Sequence, residues 1–120
     1  MSQNDILPLE NELNRTVLQG DILGAFDRFY ADDVTMQEND EPPTVGKAAN
    51  RAREEAFLAA VETFHGATLG PVAVADGVSF SEWTLDLTFK GAPRSKMHQV
   101  SVRTWKGGKV SSERFFYQKG

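Results

Sequence analysis

Toward its C-terminal end the chain carries two runs in which apolar and polar residues interleave in β fashion, Lys96 to Trp105 and Val110 to Tyr117, joined by Lys106-Gly107-Gly108-Lys109. Two such runs around a short glycine-containing connection specify a hairpin. Its mixed faces predict a place at the centre of a sheet, with one face lining a cavity and the other partly covered. Upstream, Ser81 to Lys90 alternates: Trp83, Leu85, Leu87 and Phe89 point inward, Glu82, Thr84, Asp86 and Thr88 outward. Gly91-Ala92-Pro93-Arg94 turns this strand into the hairpin, and Asp76-Gly77 predicts a type I′ turn from a run over Pro71 to Ala75.

The first half has helical periodicity instead. Asp5 can cap a first helix with Pro8 in its opening turn and Leu9, Leu13 and Val17 on one face, ended by Gly20. Asp21 caps a second, with Leu23, Phe26, Phe29 and Tyr30 facing inward until Asp32-Asp33 breaks the pattern. Val34 to Glu38 predicts a short strand, and Pro42-Pro43 enforces a loop to Gly46. From Lys47 to about Phe64 strong helix formers predict a third helix with Ala49, Ala52, Ala56, Phe57, Ala60, Val61 and Phe64 as its apolar stripe. Periodicity then changes to two after His65-Gly66. The expected class is α+β: three N-terminal helices packed on a strongly curved, mainly antiparallel sheet that encloses a pocket.

Composition narrows the function classes. The 120 residues suit one domain, 1–120, and 40% apolar content with a net charge of −4 fits an ordinary globular chain. Scattered Lys and Arg and a pI near 5.1 argue against a nucleic-acid surface. Absence of cysteine excludes disulfides, thiolate metal sites and a cysteine nucleophile. The opening Met1-Ser2-Gln3-Asn4-Asp5 lacks a basic-then-apolar leader, and no run approaches the ~18 apolar residues of a membrane span. A cytoplasmic protein without membrane contact is expected. No motif implies a cofactor.

Several segments together resemble a known family. Gly20-Asp21, Phe29-Tyr30-Ala31-Asp32-Asp33-Val34-Thr35-Met36, Gly46-Lys47-Ala48-Ala49 and the ending Trp105 to Val110 through Glu113-Arg114-Phe115-Phe116-Tyr117 are similar to a SnoaL-like protein of the NTF2-like superfamily. The resemblance implies a cone-shaped fold and a relationship to ketosteroid isomerase and polyketide cyclases. It implies a small apolar ligand of polyketide or terpenoid type. The position of the isomerase's base is held by Glu38, that of its oxyanion tyrosine by Leu13, and that of its second oxyanion donor by Ser101. The isomerase constellation is therefore not retained.

Projecting the strand alternation puts Gln99, Ser101 and Arg103 on one strand and Glu113, Phe115 and Tyr117 on the next, all on the pocket face, with Trp83 and Leu85 adjoining. Glu38, Ser101 and Arg103 are the candidate catalytic residues. Tyr30, Trp83, Leu85, Gln99, Glu113, Phe115 and Tyr117 are the candidate substrate-binding residues. Each has a plainer role open to it: Glu38 as a solvated carboxylate, Arg103 and Glu113 as a structural cross-strand pair, Tyr30 as a core residue with a hydrogen-bonded tip. His65 and His98 have no ligand spacing, so no metal is expected. His98, Val100, Val102 and Thr104 fall on the opposite face, which predicts a homodimer through that surface. Two functions follow: a proton-transfer enzyme on a small apolar carbonyl compound, or a non-catalytic ligand-binding or protein-association module.

Overall fold

The computed structural model describes residues 3–118; Met1 and Ser2, part of the opening read for a leader, lie outside them. Three helices, α1 (Gln3–Leu18), α2 (Ile22–Phe29) and α3 (Lys47–Ala60), pack on a sheet of β1 (Tyr30–Glu38), β2 (Thr44–Val45), β3 (Val61–Ala75), β4 (Val78–Phe89), β5 (Ser95–Lys106) and β6 (Lys109–Tyr117). The strand order β2-β1-β6-β5-β4-β3 places the β5–β6 hairpin in the middle. β1 runs parallel to β6, and the other neighbours are antiparallel.

The turns follow from their residues. Asp76 and Gly77 have φ of 52° and 79°, and Gly107 and Gly108 have 59° and 82°. These paired positive values form the two-residue loops whose twist matches the flanking strands. Curvature comes mainly from β3, whose register against β4 shifts between Val61 and Thr63, Phe64 and Gly66, and Leu69 and Val72. Each irregularity bends the strand. Pro71 is tolerated there because β3 is an edge strand.

Some boundaries differ from the sequence expectation. α3 ends at Ala60, and Val61 to Phe64 belong to β3, where Val61 pairs with Phe89 and Thr63 with Thr88. β-branched side chains pack better on that pleated surface than in a last helical turn. The alanine stripe is also out of phase: Ala49, Ala52, Ala56 and Ala60 are exposed, and Asn50 is the buried residue of α3. β1 begins at Tyr30 rather than Val34, drawn out by pairing of Tyr30 with Val110, so Asp32 and Asp33 stand exposed on a strand instead of ending a helix.

Asp21 does cap α2, its Oδ1 accepting from the Gly24 N–H at 2.9 Å. Ile6 and Leu13 of α1, Phe26 and Phe29 of α2, Val34 and Met36 of β1, and Trp105 and Val110 of the hairpin close one core. Burial of each large apolar side chain contributes about 1.5–3 kcal/mol. The Trp105 indole N–H enters this core satisfied, donating to Ser79 Oγ at 2.8 Å. α3 is fixed by Asn50, whose Nδ2 donates to the carbonyls of Val34, Thr44 and Gly46 at 3.1, 3.0 and 2.8 Å. No helix among the described residues is long and apolar enough to cross a membrane.

Candidate functional site

The inner face of α1 is an i, i+4 stripe in which Ile6 and Leu13 are accompanied by Glu10 and Asn14, all fully buried. Beneath them lies Arg103 of β5, directly opposite Glu113 of β6. Arg103 Nε donates to Glu113 Oε2 at 2.7 Å, and its Nη1 donates to Glu10 Oε1 and Asn14 Oδ1, each at 2.8 Å. The Tyr30 hydroxyl donates to the remaining oxygen of Glu113, Oε1. Five side chains from α1, β1, β5 and β6 thus form a buried polar floor between the first helix and the sheet. Burial opposes the Arg103 charge, but the neighbouring carboxylates of Glu113 and Glu10 override it and hold the guanidinium protonated. Burial, followed by the Glu113 charge, pushes the Tyr30 hydroxyl well above its ordinary range. Glu10 Oε2 and Asn14 Nδ2 are buried without a hydrogen-bond partner among the described residues.

A second group forms the rim. Glu38, at the end of β1, accepts from the Tyr117 hydroxyl at 2.9 Å and pairs with Arg53 of α3 at 3.2 Å. Its side chain is 40% exposed. These two partners set its polar environment, and Phe115 is its neighbour across the β1–β6 pairing. Tyr117 is pushed up to about 12, by burial first and then by its bond to Glu38 and that group's charge.

Glu54, the residue after Arg53 on α3, is half-buried. Its carboxyl is pushed up to about 7, by burial first, then by the Glu113 and Glu38 charges, against the opposing pull of Arg53 and Arg103. A carboxyl in that range takes up and releases protons near neutrality.

The residues expected together on β4, β5 and β6 share one face of the sheet. Gln99 pairs with Tyr117, Ser101 with Phe115 and Arg103 with Glu113, while Trp83 adjoins Gln99 and Leu85 adjoins Met97. Ser101 and Trp83 are buried, and the Trp83 N–H donates to Ser81 Oγ at 3.0 Å. Leu85, Gln99, Phe115 and Tyr117 are half-buried toward the rim. Glu10, Asn14, Arg53 and Glu54 were not among the expected residues. For Glu54 the available signal was helical phase: Asn50, Glu54, Phe57 and Leu58 recur at i, i+4, i+7, i+8, a stripe obscured by the surrounding alanines.

Among the described residues no group of three His, Cys, Asp or Glu is placed to hold a metal ion. Two surface depressions stand out. One of about 190 Å³ is lined by Pro71, Val72, Ala73, Phe80, Ser81, Glu82 and Val100. The other, of about 350 Å³, lies where β6 ends, beside Lys96, Met97, His98, Tyr117 and Gln118. Neither reaches the floor residues.

A curved sheet with three helices over a polar interior is an α+β fold that a solved NTF2-like protein of Burkholderia xenovorans shares at 16% identity and a TM-score of 0.76, over 98% of this chain and 86% of that one. The chain belongs to the SnoaL-like domain family, which matches it over residues 9–117. Among solved structures, a protein of Mesorhizobium loti provisionally named a SnoaL-like polyketide cyclase is similar at 28% identity and a TM-score of 0.86, over 98% of this chain and 100% of that one. Fold alone is shared with two more distant proteins. One, from Jannaschia sp. CCS1 and provisionally named a SnoaL-like polyketide cyclase, has 11% identity, a TM-score of 0.83 and coverage of 98% and 91%. The other, from Bacillus subtilis and provisionally named an isomerase, has 14% identity, a TM-score of 0.78 and coverage of 98% and 90%. No curated protein matches the chain.

Proposed function

We propose that the chain is an acid/base enzyme of the isomerase or cyclase type, acting on a small, largely apolar carbonyl compound of polyketide or terpenoid kind in the concavity of its sheet. One observation carries this: a half-buried glutamate of α3, Glu54, subject to the Glu113 and Glu38 charges and with its carboxyl pushed up to about 7, in a SnoaL-like chain. Acid/base catalysis at carbon needs a group poised near neutrality within an apolar wall; the paired Leu85 and Met97, with Phe115 and Phe57, are the residues proposed to supply it. Ser101 and Arg103 shape the floor, with Arg103 orienting Glu113 and, through it, Tyr30. Glu38 shapes the rim by holding Tyr117 and Arg53. The polyketide-cyclase name given to the 28%-identical protein of Mesorhizobium loti supports the same substrate class.

A second reading, a ligand-binding or association module without turnover, is favoured by one feature. The five floor groups are committed to one another, and both depressions lie away from them. In either case we propose a homodimer through the outer sheet face, where Val100 opposes Phe116 and Phe80 opposes Val102.

The test is incubation with a panel of small enolisable ketones in D₂O, followed by proton NMR for loss of α-hydrogen signal. Exchange above the buffer rate supports the enzyme; perturbed protein resonances without exchange support the module.

A further inference from the structure

Glu10 and Asn14 stand one helical turn apart on the inner face of α1, and both are fully buried. Each gives one oxygen to the same donor: Glu10 Oε1 and Asn14 Oδ1 both accept from Arg103 Nη1 at 2.8 Å. Each side chain is left with one atom over, and the two are of opposite kind. Paired with Arg103, Glu10 Oε2 is an acceptor; Asn14 Nδ2 is a donor only. Turning the Asn14 amide over does not resolve this, because it would set the NH₂ group against the guanidinium. Among the described residues these two are the buried side-chain atoms that lack a hydrogen-bond partner. Elsewhere the interior is satisfied: both oxygens of Glu113 are taken, by Arg103 and Tyr30, and the indole N–H groups of Trp83 and Trp105 are taken by Ser81 and Ser79.

We propose that Glu10 and Asn14 form a binding site for a single hydroxyl oxygen, which donates its hydrogen to Glu10 Oε2 and accepts one from Asn14 Nδ2. A hydroxyl is donor and acceptor in one atom, so it answers both groups at once. An ammonium group has no acceptor, a ketone or ether oxygen has no donor, and a carboxylate would set a second negative charge against Glu10. The side chains start about 5–6 Å apart at their Cβ atoms, as i, i+4 neighbours do, and converge on one nitrogen, which holds the remaining atoms on the same side of α1. A buried charged oxygen and a buried amide left unpaired cost more together than the immobilisation of one small oxygen between them. Water carries such an oxygen, and so does the alcohol group of a small ligand seated between α1 and the sheet. The site is independent of the acid/base reading and belongs equally to an enzyme and to a binding module. Where the ligand supplies the oxygen, the class of compound narrows to hydroxylated ones.

The experiment uses the full chain, in crystals and in ¹⁵N-labelled solution. Expected is an ordered oxygen within about 3.2 Å of both Glu10 Oε2 and Asn14 Nδ2, with a cross-relaxation signal between the Asn14 side-chain amide protons and a long-lived water. Cyclohexanol and cyclohexanone are then added as a matched pair. A water signal that persists with both compounds supports the site with water as its occupant. Loss of that signal with a saturable shift of the Asn14 amide, given by cyclohexanol and not by cyclohexanone, supports it with a ligand hydroxyl as occupant. An Asn14 Nδ2 found bonded directly to a protein acceptor overturns the proposal. So does the combination of no ordered oxygen, no water signal and no response of Asn14 to the alcohol.

Discussion

Arg103 and Glu113 stand directly opposite each other on β5 and β6, and Nε meets Oε2 at 2.7 Å with both side chains closed to solvent. Glu10 approaches the same guanidinium from α1. The substitution R103M therefore leaves two buried carboxylates without a cation. Breaking a buried pair in this way costs about 3–5 kcal/mol, to be read by urea denaturation at neutral pH. The deficit should shrink in acid, because the stranded carboxylates bind protons more tightly in the folded than in the unfolded chain. A variant as stable as wild type at neutral pH would show that the floor contributes nothing to folding.

Asn50 gives a sharper contrast between two small changes. N50A removes one amide that serves three carbonyls and is expected to cost about 1–3 kcal/mol. N50D puts a carboxylate against those same carbonyls, so acceptor faces acceptor. It should be the more damaging of the two in thermal melts at neutral pH, despite being nearly isosteric.

Glu54 links stability to pH in a defined direction. Its folded value of about 7 lies above the ordinary 4.5. The folded chain thus holds the extra proton between those values, and the contribution is complete below about 4.5 and lost as pH rises through about 7. E54Q removes that dependence and should gain on wild type by about 3 kcal/mol across this window. Parallel stability curves for the two proteins would rule the linkage out.

On the outer face Phe80, Val100 and Phe116 are 38%, 37% and 42% exposed. Arg114 lies over the Phe116 ring at 4.6 Å. Sedimentation velocity should give a dimer for wild type and a monomer for the double variant V100E/F116E. A wild-type monomer at micromolar concentration would remove the homodimer proposal.

The hairpin at the sheet's centre, the alternation of β4 and the type I′ turn were all legible, because period-two patterning and Asp-Gly or Gly-Gly pairs act locally. Which residues of β5 and β6 share a face was legible for the same reason: knowing one residue's side fixes every second one. What escaped the sequence depends on partners far along the chain. Nothing local marks Glu10 and Asn14 as buried until Arg103 is placed beside them, and the alanines of α3 hide which side of that helix looks inward. Val61 to Phe64 read as helix because the preceding residues are such good helix formers, whereas pairing with β4 decided otherwise.

The floor joins residues separated by 93 positions, Glu10 and Arg103, and by 83 positions, Tyr30 and Glu113. The first needs α1 and β5 together; the second cannot exist on a growing chain until β6 has been made and has accepted β1 alongside it. Local hairpins can form early, but a parallel pairing of this span closes a long loop and comes slowly. Arg103 is therefore fully paired only once both α1 and β6 have reached it, so the proposed active site and the β1–β6 pairing are completed together. Any truncation that removes α1 would abolish the site by leaving its central cation half-paired.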